Sequence, residues 1–334
     1  MADNKTKKKT SIGGQALIEG VMMRGPQLTA LAVRHTSGEI RTDSWETAGK
    51  SRPKVLKIPF VRGVINFVES MISGYKCMMK SMEMSGIEDE IIAESKKETV
   101  ENADEDEVLE NAPEKAETAP KKEGKGLMTL IMIVASVLGV ALSMVLFMFL
   151  PIQLRKWLSI PLPFLENSVW RAVFEGLIRI VIFLAYMVGV SFMKDIKRVF
   201  MYHGAEHKTI FCHENGDELT VENVRKQSRF HPRCGTSFMF LMLFIGIIVS
   251  IFIRFDDVFL RTAFKLITLP IVVSLGYELI KLAGRSDNIL VRIISTPGLW
   301  VQRITTKEPT DDMIEVAIES FQMVVPENQG DDAL

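Results

Sequence analysis

The segment from Phe200 to Asp217 reads FMYHGAEHKTIFCHENGD, with two histidines four residues apart, His203 and His207, and Glu206 beside the second. On a helix, residues four apart project from the same face, so both imidazoles could reach one metal ion. The order H-x-x-E-H matches the inverzincin signature, in which the glutamate activates a metal-bound water. The sequence therefore predicts a metal site at His203 and His207, with Glu206 as general base.

Further metal-ligand residues follow in the same connector of the chain. The run HPRC holds an imidazole and a thiolate, His231 and Cys234, and both groups are zinc ligands. Inverzincins take a third ligand from a glutamate well downstream, and Glu278 is a candidate. It could instead form a salt bridge with Lys281 or Arg285. The thiolate makes zinc a better match than iron or manganese.

Three interpretations of this cluster remain open at the level of sequence. If His203, His207, His231 and Cys234 all bind, the zinc is four-coordinate and structural. If one position is left to water, the site is catalytic and Glu206 serves as the base. Without a metal, the cluster would consist of membrane-proximal histidines that are hydrogen-bonded to their neighbours.

Four apolar runs would position this cluster. A helix of about 20 residues crosses the ~30 Å hydrocarbon layer of a bilayer. Arg179, near the end of the second run, could snorkel to the interface. The fourth run holds Lys265 and Glu278, whose charges should lie near its ends or face protein. We predict transmembrane helices over residues 126–151, 172–193, 238–253 and 260–282.

The distribution of basic residues predicts the orientation of these helices. Eight Lys and Arg residues lie in the connector 194–237, and both terminal segments are also basic. By the positive-inside rule, the connector and both termini face the cytoplasm. The N-terminus lacks the apolar region of a signal peptide, and three cysteines suit a reducing compartment. With 40 Lys and Arg against 41 Asp and Glu, the net charge gives no indication of nucleic-acid binding, and we expect no nucleic-acid partner.

The segments outside the apolar runs suggest a smaller, polar part of the protein. Residues 1–58 contain three β-prone runs, ALIEGVMMRG, TALAVRH and EIRTDSW, which predict a β-meander. Residues 59–85 predict one helix with a narrow polar stripe, which packs on other helices or lies in the membrane interface. Residues 86–125 are acidic and predict a disordered cytosolic linker. In the cytosolic tail, 283–334, an amphipathic helix should begin after Thr310.

The fold class is therefore mainly α, a polytopic α-helical membrane protein of about four spans with a small N-terminal β-meander and cytosolic helices. Four motifs, GGQALIEGVMMRGP, YHGAEHKTIFCHENG, SRFHPRCGTSF and TPGLWVQRITTKEPTDDMIEVAI, resemble those of the YqhQ-like family, the domain of unknown function 1385. The resemblance implies a protein of the bacterial cytoplasmic membrane, catalogued as a predicted metal-dependent enzyme. It also singles out Glu19 and Arg24, either as part of a site or as a pair that braces the β-segment.

The leading functional hypothesis is a zinc-dependent membrane hydrolase that acts on a peptide or a lipid-linked group near the inner leaflet. The alternative is a non-catalytic scaffold in which the His/Cys cluster is structural. Such a scaffold would assemble with itself or with other membrane proteins, for instance as an accessory factor in their assembly. A transporter fits less well, because the spans carry few buried charges and no inverted repeat is found.

Overall fold

The structure is a computed structural model that describes residues 9–47, 53, 56, 58–87, 123–255, 257–285, 288–326 and 332. Most of the predicted acidic linker lies outside the described residues. The described part is mainly helical, with one small antiparallel sheet near the N-terminus, which confirms the predicted balance of helix and strand.

The sheet is a four-stranded meander in the order β1-β2-β3-β4, and its strands are β1 (Gly13–Leu17), β2 (Gly20–Arg24), β3 (Leu28–Arg34) and β4 (Ile40–Glu46). The first β-prone run is a hairpin and not a single strand. At its turn Glu19 adopts the left-handed region with φ 51°, which is uncommon for a residue other than glycine. The Glu19 carboxylate is bound by the guanidinium of Arg198 and by the Tyr202 hydroxyl at 3.3 Å, and these contacts hold the turn.

The helices carry most of the chain: α1 (Val61–Ser85), α2 (Glu123–Met144), α3 (Leu150–Ser159), α4 (Ser168–Val190), α5 (Lys194–Glu214), α6 (Val221–Arg225), α7 (Gly235–Phe252), α8 (Val258–Arg285), α9 (Ile289–Thr305) and α10 (Asp311–Gln322). A π-helical turn, Val145–Phe149, joins α2 to α3, and a 3-10 turn, Pro163–Glu166, precedes α4. The connector predicted at 194–237 is thus mostly helical, because it contains α5 and α6.

The sheet lies between two helical layers. Successive residues of a strand point to opposite faces of the sheet. Val21 and Met23 of β2 therefore pack on the face that is covered by α5 and α10, whereas Met22 packs with Cys77 of α1 on the other face. The apolar face predicted for the tail helix is buried in this core, but Thr310 makes no side-chain capping hydrogen bond.

Among the described residues, four helical stretches are long and apolar enough to cross a membrane: Val134–Ser159, Ser168–Val190, Gly235–Phe252 and Val258–Leu282. The first continues beyond Pro151, where the apolar run of the sequence ends. Proline has no N–H, so Pro151 cannot bond to the carbonyl of Phe147 four residues earlier. Arg179 Nε donates to that carbonyl at 2.8 Å, so the side chain of Arg179 turns into the bundle.

The bundle contains an ion cluster that the sequence analysis does not predict. The Glu175 side chain is only 1% exposed and lies among arginine and lysine side chains from three helices. The expectation that few charges are buried within the spans is therefore wrong for this part of the bundle. It failed because the charges are scattered along the sequence and meet only when the helices pack.

Gly204, in the middle of α5, allows the chain after α9 to lie directly on this helix. A Cβ atom at Gly204 would lie 2.1 Å from the carbonyl oxygen of Lys307. The Lys307 N–H donates to the carbonyl of Phe200 at 2.8 Å, which fixes the crossing. The cost of glycine in a helix, about 1 kcal/mol relative to alanine, is therefore offset by a close contact.

We expect Gly204→Ala to lower the stability of the protein by about 1–3 kcal/mol, because the added methyl group overpacks this contact. Gly189→Ala on α4 is the matched control, since a Cβ there meets nothing within 4 Å. The control should unfold at or slightly above the wild-type temperature. Thermal unfolding of the purified proteins, followed by circular dichroism, measures both. Equal midpoints for the two variants would contradict the assigned contact.

Candidate metal site

The structure brings three of the five predicted ligands together. His203 and His207 lie on α5, and Cys234 is the N-cap residue of α7. Each offers one ligand atom, and these atoms lie within 4.8 Å of one another. His203 Nε2 is 3.1 Å from Cys234 Sγ, and the two imidazole rings are 4.4 Å apart between centroids. Two imidazoles and one thiolate form a donor set that suits zinc.

Both imidazoles are oriented by backbone carbonyls. His203 Nδ1 lies 2.8 Å from the carbonyl oxygen of Thr305, and His207 Nδ1 lies 2.6 Å from that of Arg229. When Nδ1 carries the proton and donates to a carbonyl, Nε2 is left as the metal ligand, as in many zinc sites. His207 Nε2 is buried and has no hydrogen-bond partner within the described residues. An unpartnered buried polar atom costs about 1–3 kcal/mol, and a ligand at this nitrogen would remove that cost.

The thiol and an imidazole form a charged pair. Burial alone would raise the pKa of Cys234, but the imidazoles of His203 and His207 hold it well below its usual value. Burial alone would lower the pKa of His203, but the Cys234 thiolate outweighs this effect and raises that pKa to about 9. Thr236 N–H also approaches Cys234 Sγ, at 3.5 Å, at the start of α7. A thiolate is the form of cysteine that binds metal.

Glu206 lies buried beside this cluster and is 5% exposed. Burial raises the pKa of its carboxyl group, and the imidazoles of His207 and His203 oppose that rise. The backbone N–H of Gly14 in β1 donates to the carboxylate. A Cβ atom at Gly14 would lie 2.8 Å from Glu206 Cγ, so only glycine allows the strand to approach so closely. The N-terminal motif thus positions the predicted general base.

His231 lies next to the cluster but points elsewhere. Its ring is 5.5 Å from that of His207, whereas its Nε2 lies 3.3 Å from Arg233 Nη2 and 3.8 Å from a Glu214 oxygen. Its Nδ1 accepts the N–H of Arg233 at 3.4 Å. Within the part of the chain that the structure describes, the group of converging donors therefore has three members, and His231 is not one of them.

Glu278 lies apart from this group of donors. Its two oxygens are bound by Arg62 of α1, with Arg62 Nε 2.7 Å from Oε1 and Nη2 2.5 Å from Oε2. The sequence suggested ion pairs of Glu278 with Lys281 or Arg285, which are near it in the chain. The structure shows an ion pair with Arg62, which is 216 positions away. The pairing joins α1 to α8.

Glu19 and Arg24 do not pair with each other. They flank strand β2, with Glu19 in the turn before it and Arg24 at its far end. Glu19 is bound instead to Arg198 and Tyr202, the latter directly before His203 on α5. Through these contacts Glu19 joins the sheet to the helix that carries the candidate site.

Several supporting residues were missed by the sequence analysis. Gln302 of α9 is fully buried, accepts the N–H of His231 at 2.8 Å and donates to its carbonyl at 2.7 Å. Gln302 thereby fixes the turn that leads to Cys234. Thr305 and Arg229 contribute only their carbonyls, which no side-chain motif reveals. Gln302 could have been found from the sequence, because it is a polar residue that follows the apolar residues of the motif TPGLWVQRITTKEP.

Comparison with known proteins gives two matches. The family model described as "Protein of unknown function (DUF1385)" matches residues 58–327. The chain is also 35% identical over 323 residues to "Uncharacterized protein YqhQ" of Bacillus subtilis (strain 168), which covers 95% of this chain and 93% of that protein. No solved structure matches the chain.

We expect the protein, purified without chelators, to carry about one zinc ion per chain. His207→Ala and Cys234→Ala should lose most of this metal, because each removes one of three ligands. His231→Ala is the matched control and should keep it, because the nitrogens of His231 face Arg233 and Glu214. Elemental analysis by mass spectrometry measures the ratio. Metal-free wild-type protein, or equal loss in the control, would contradict the assigned ligands.

Proposed function

The chain belongs to the DUF1385 family, and we propose that it is a zinc-dependent hydrolase embedded in a membrane. His203, His207 and Cys234 would hold the metal, and Glu206 would be the general base. The observation that carries this proposal is the convergence of three donors beside a buried glutamate. His207 and Cys234 are buried, His203 is partly buried, and His207 Nε2 has no hydrogen-bond partner within the described residues. Three protein ligands with a neighbouring carboxylate are typical of catalytic zinc sites, and four ligands of structural ones.

The residues of the chain divide the chemistry between them. When bound, zinc supplies Lewis acidity and makes water a stronger acid. Glu206 would take a proton from the attacking water and return it to the leaving group of the substrate as the bond to that group breaks. Gly14 N–H holds the carboxylate of Glu206 in place during both transfers. The carbonyls of Thr305 and Arg229 keep the two imidazoles in their ligating orientation.

The position of the site suggests where its substrate lies. Cys234 is the residue directly before α7, one of the four helices that could cross a membrane. We propose that these helices lie in the bacterial cytoplasmic membrane with both termini and α5 in the cytosol, as the basic residues of 194–237 predict. The substrate would then be a peptide or a lipid-linked group close to the inner leaflet.

One observation favours the alternative, a metal that only fastens the fold. The ligands and their carbonyl partners tie α5 to α9 and to the connections around α6 and α7. In that case the protein would be a scaffold that assembles with itself or with other membrane proteins. The two functions differ in what they require of Glu206. A hydrolase needs it as the general base, whereas a structural metal site needs only the three ligands.

The test uses Glu206→Gln, which removes the base and keeps the shape of the side chain. Wild-type protein is incubated with a total membrane extract in water that is labelled with heavy oxygen. A hydrolase transfers that oxygen to its products, which mass spectrometry detects. We expect labelled products with wild type and at least a hundredfold less with Glu206→Gln, which should retain its zinc.

Glu315→Gln is the matched control, because it makes the same chemical change at an exposed ion pair of α10. It should give wild-type labelling. Labelling that Glu206→Gln leaves unchanged would remove the assigned role of this residue. If zinc-loaded wild-type protein labels nothing in the extract, the hydrolase proposal is wrong and the structural metal site remains as the alternative.

A further inference from the structure

At the end of the helical bundle opposite the metal site, one buried carboxylate lies among four cations. Glu175 of α4 is 3.2 Å from Arg155 of α3, 3.4 Å from Arg179, 3.1 Å from Arg261 and 3.3 Å from Lys265 of α8. The four cationic side chains are between 4% and 16% exposed. Fifteen residues of α4 separate Glu175 from Val190, or about 22 Å, and α5 begins shortly after Val190.

This cluster carries more positive charge than its carboxylate can balance. Among the described residues, four cations form ion pairs with this one carboxylate, and their distances of 3.1–3.4 Å exceed the 2.7–2.9 Å typical of charge-assisted hydrogen bonds. Nε of Arg261 is buried and makes no hydrogen bond within the described residues. Nε of Arg155 is the atom that lies 3.2 Å from Glu175 Oε1, but the two atoms do not have hydrogen-bond geometry. Like charges held together away from water repel strongly. The cluster therefore offers unused donors and excess charge to an additional anion.

An apolar cavity adjoins the cluster. It has a volume of about 400 Å³, and Arg179 and Lys265 form the cationic part of its wall. The rest of the wall is largely apolar and comes from the π-helical turn, α4, α7 and α8. Two wall residues, Leu266 and Leu269, are 52% and 50% exposed, so the cavity reaches the outer surface of the bundle.

We infer that this end of the bundle binds a lipid whose head group is an anionic phosphate. The phosphate would lie among the four cations and complete their hydrogen bonds, as guanidinium groups commonly do with phosphate oxygens. One hydrocarbon chain would occupy the cavity. A free anion would contact the cations but leave the cavity empty. A lipid fits both, because the cavity opens to the surface that these helices would present to a bilayer. The site is separate from the metal site and does not depend on the hydrolase proposal.

The test compares three probes on the full-length protein, delipidated in a neutral detergent. Dioleoyl phosphatidate carries both the phosphate and the chains, dioleoylglycerol lacks the phosphate, and inorganic phosphate lacks the chains. We expect phosphatidate to raise the unfolding temperature by several degrees and the other two to have little effect, because only a ligand of the folded state stabilises it. Titration of the shift gives an apparent affinity for each protein.

Two pairs of variants separate the charges from the cavity. Lys265→Gln should weaken phosphatidate binding at least about tenfold, while Lys156→Gln, which removes an exposed cation next to Arg155, should not. Gly246→Leu fills the cavity, where a Cβ meets nothing within 4 Å, and should abolish the shift. Gly189→Leu makes the same change in open space outside the cavity and should bind normally.

Four results would overturn the inference. Equal stabilisation by inorganic phosphate would indicate a site for soluble anions, and equal stabilisation by dioleoylglycerol would show that the charges are not recognised. Unchanged phosphatidate binding by Gly246→Leu would show that no hydrocarbon chain enters the cavity. If Lys265→Gln fails to fold, Gly246→Leu alone tests the proposal, because it leaves every charge in place. Failure of phosphatidate to stabilise the wild type would also refute the proposal.

Discussion

The burial of α5 is the constraint on which the arrangement of the site depends. This helix carries charged and polar side chains into the core, and buried polar groups need partners because they lose their hydrogen bonds to water. Each partner comes from a different part of the chain. Gly14 of β1 donates to Glu206, Thr305 at the end of α9 accepts from His203, and the carbonyl of Arg229 accepts from His207. The segments around α5 are packed so that these bonds can form.

The sequence predicts the parts of the site that follow from short spacings. His203 and His207 share a helix face because they are four residues apart, and Cys234 follows from the chemistry of the HPRC run. The sequence could not predict which of His231 and Cys234 joins the two histidines as a ligand, because this depends on the conformation of the turn that holds both residues. Arg233 and Glu214 decide this by engaging the ring of His231. Only the packed structure supplies that information.

Long-range ion pairs account for most of the remaining differences. Glu278 meets Arg62 across 216 positions, and Glu175 meets cations from α3 and α8. Hydropathy marks the helices that hold these residues, but it carries no information on how the helices rotate against one another. The hairpin at Glu19 also depends on a contact between residues that are far apart in the chain. Its turn lacks the usual glycine or asparagine, and Arg198, far along the chain, stabilises the conformation instead.

The two charged regions of the molecule place opposite demands on a ligand. At the candidate metal site, a thiolate and imidazole nitrogens converge, and the ligand that we propose for these donors is a metal cation. At Glu175, four cations surround one carboxylate among the described residues, and the ligand that we propose there is an anion. Both regions are buried, and both contain side-chain nitrogens without hydrogen bonds within the described residues. Because unpartnered polar atoms destabilise a fold, a cation at the first region and an anion at the second would each remove such a cost, and this is the physical reason that we propose a ligand at both.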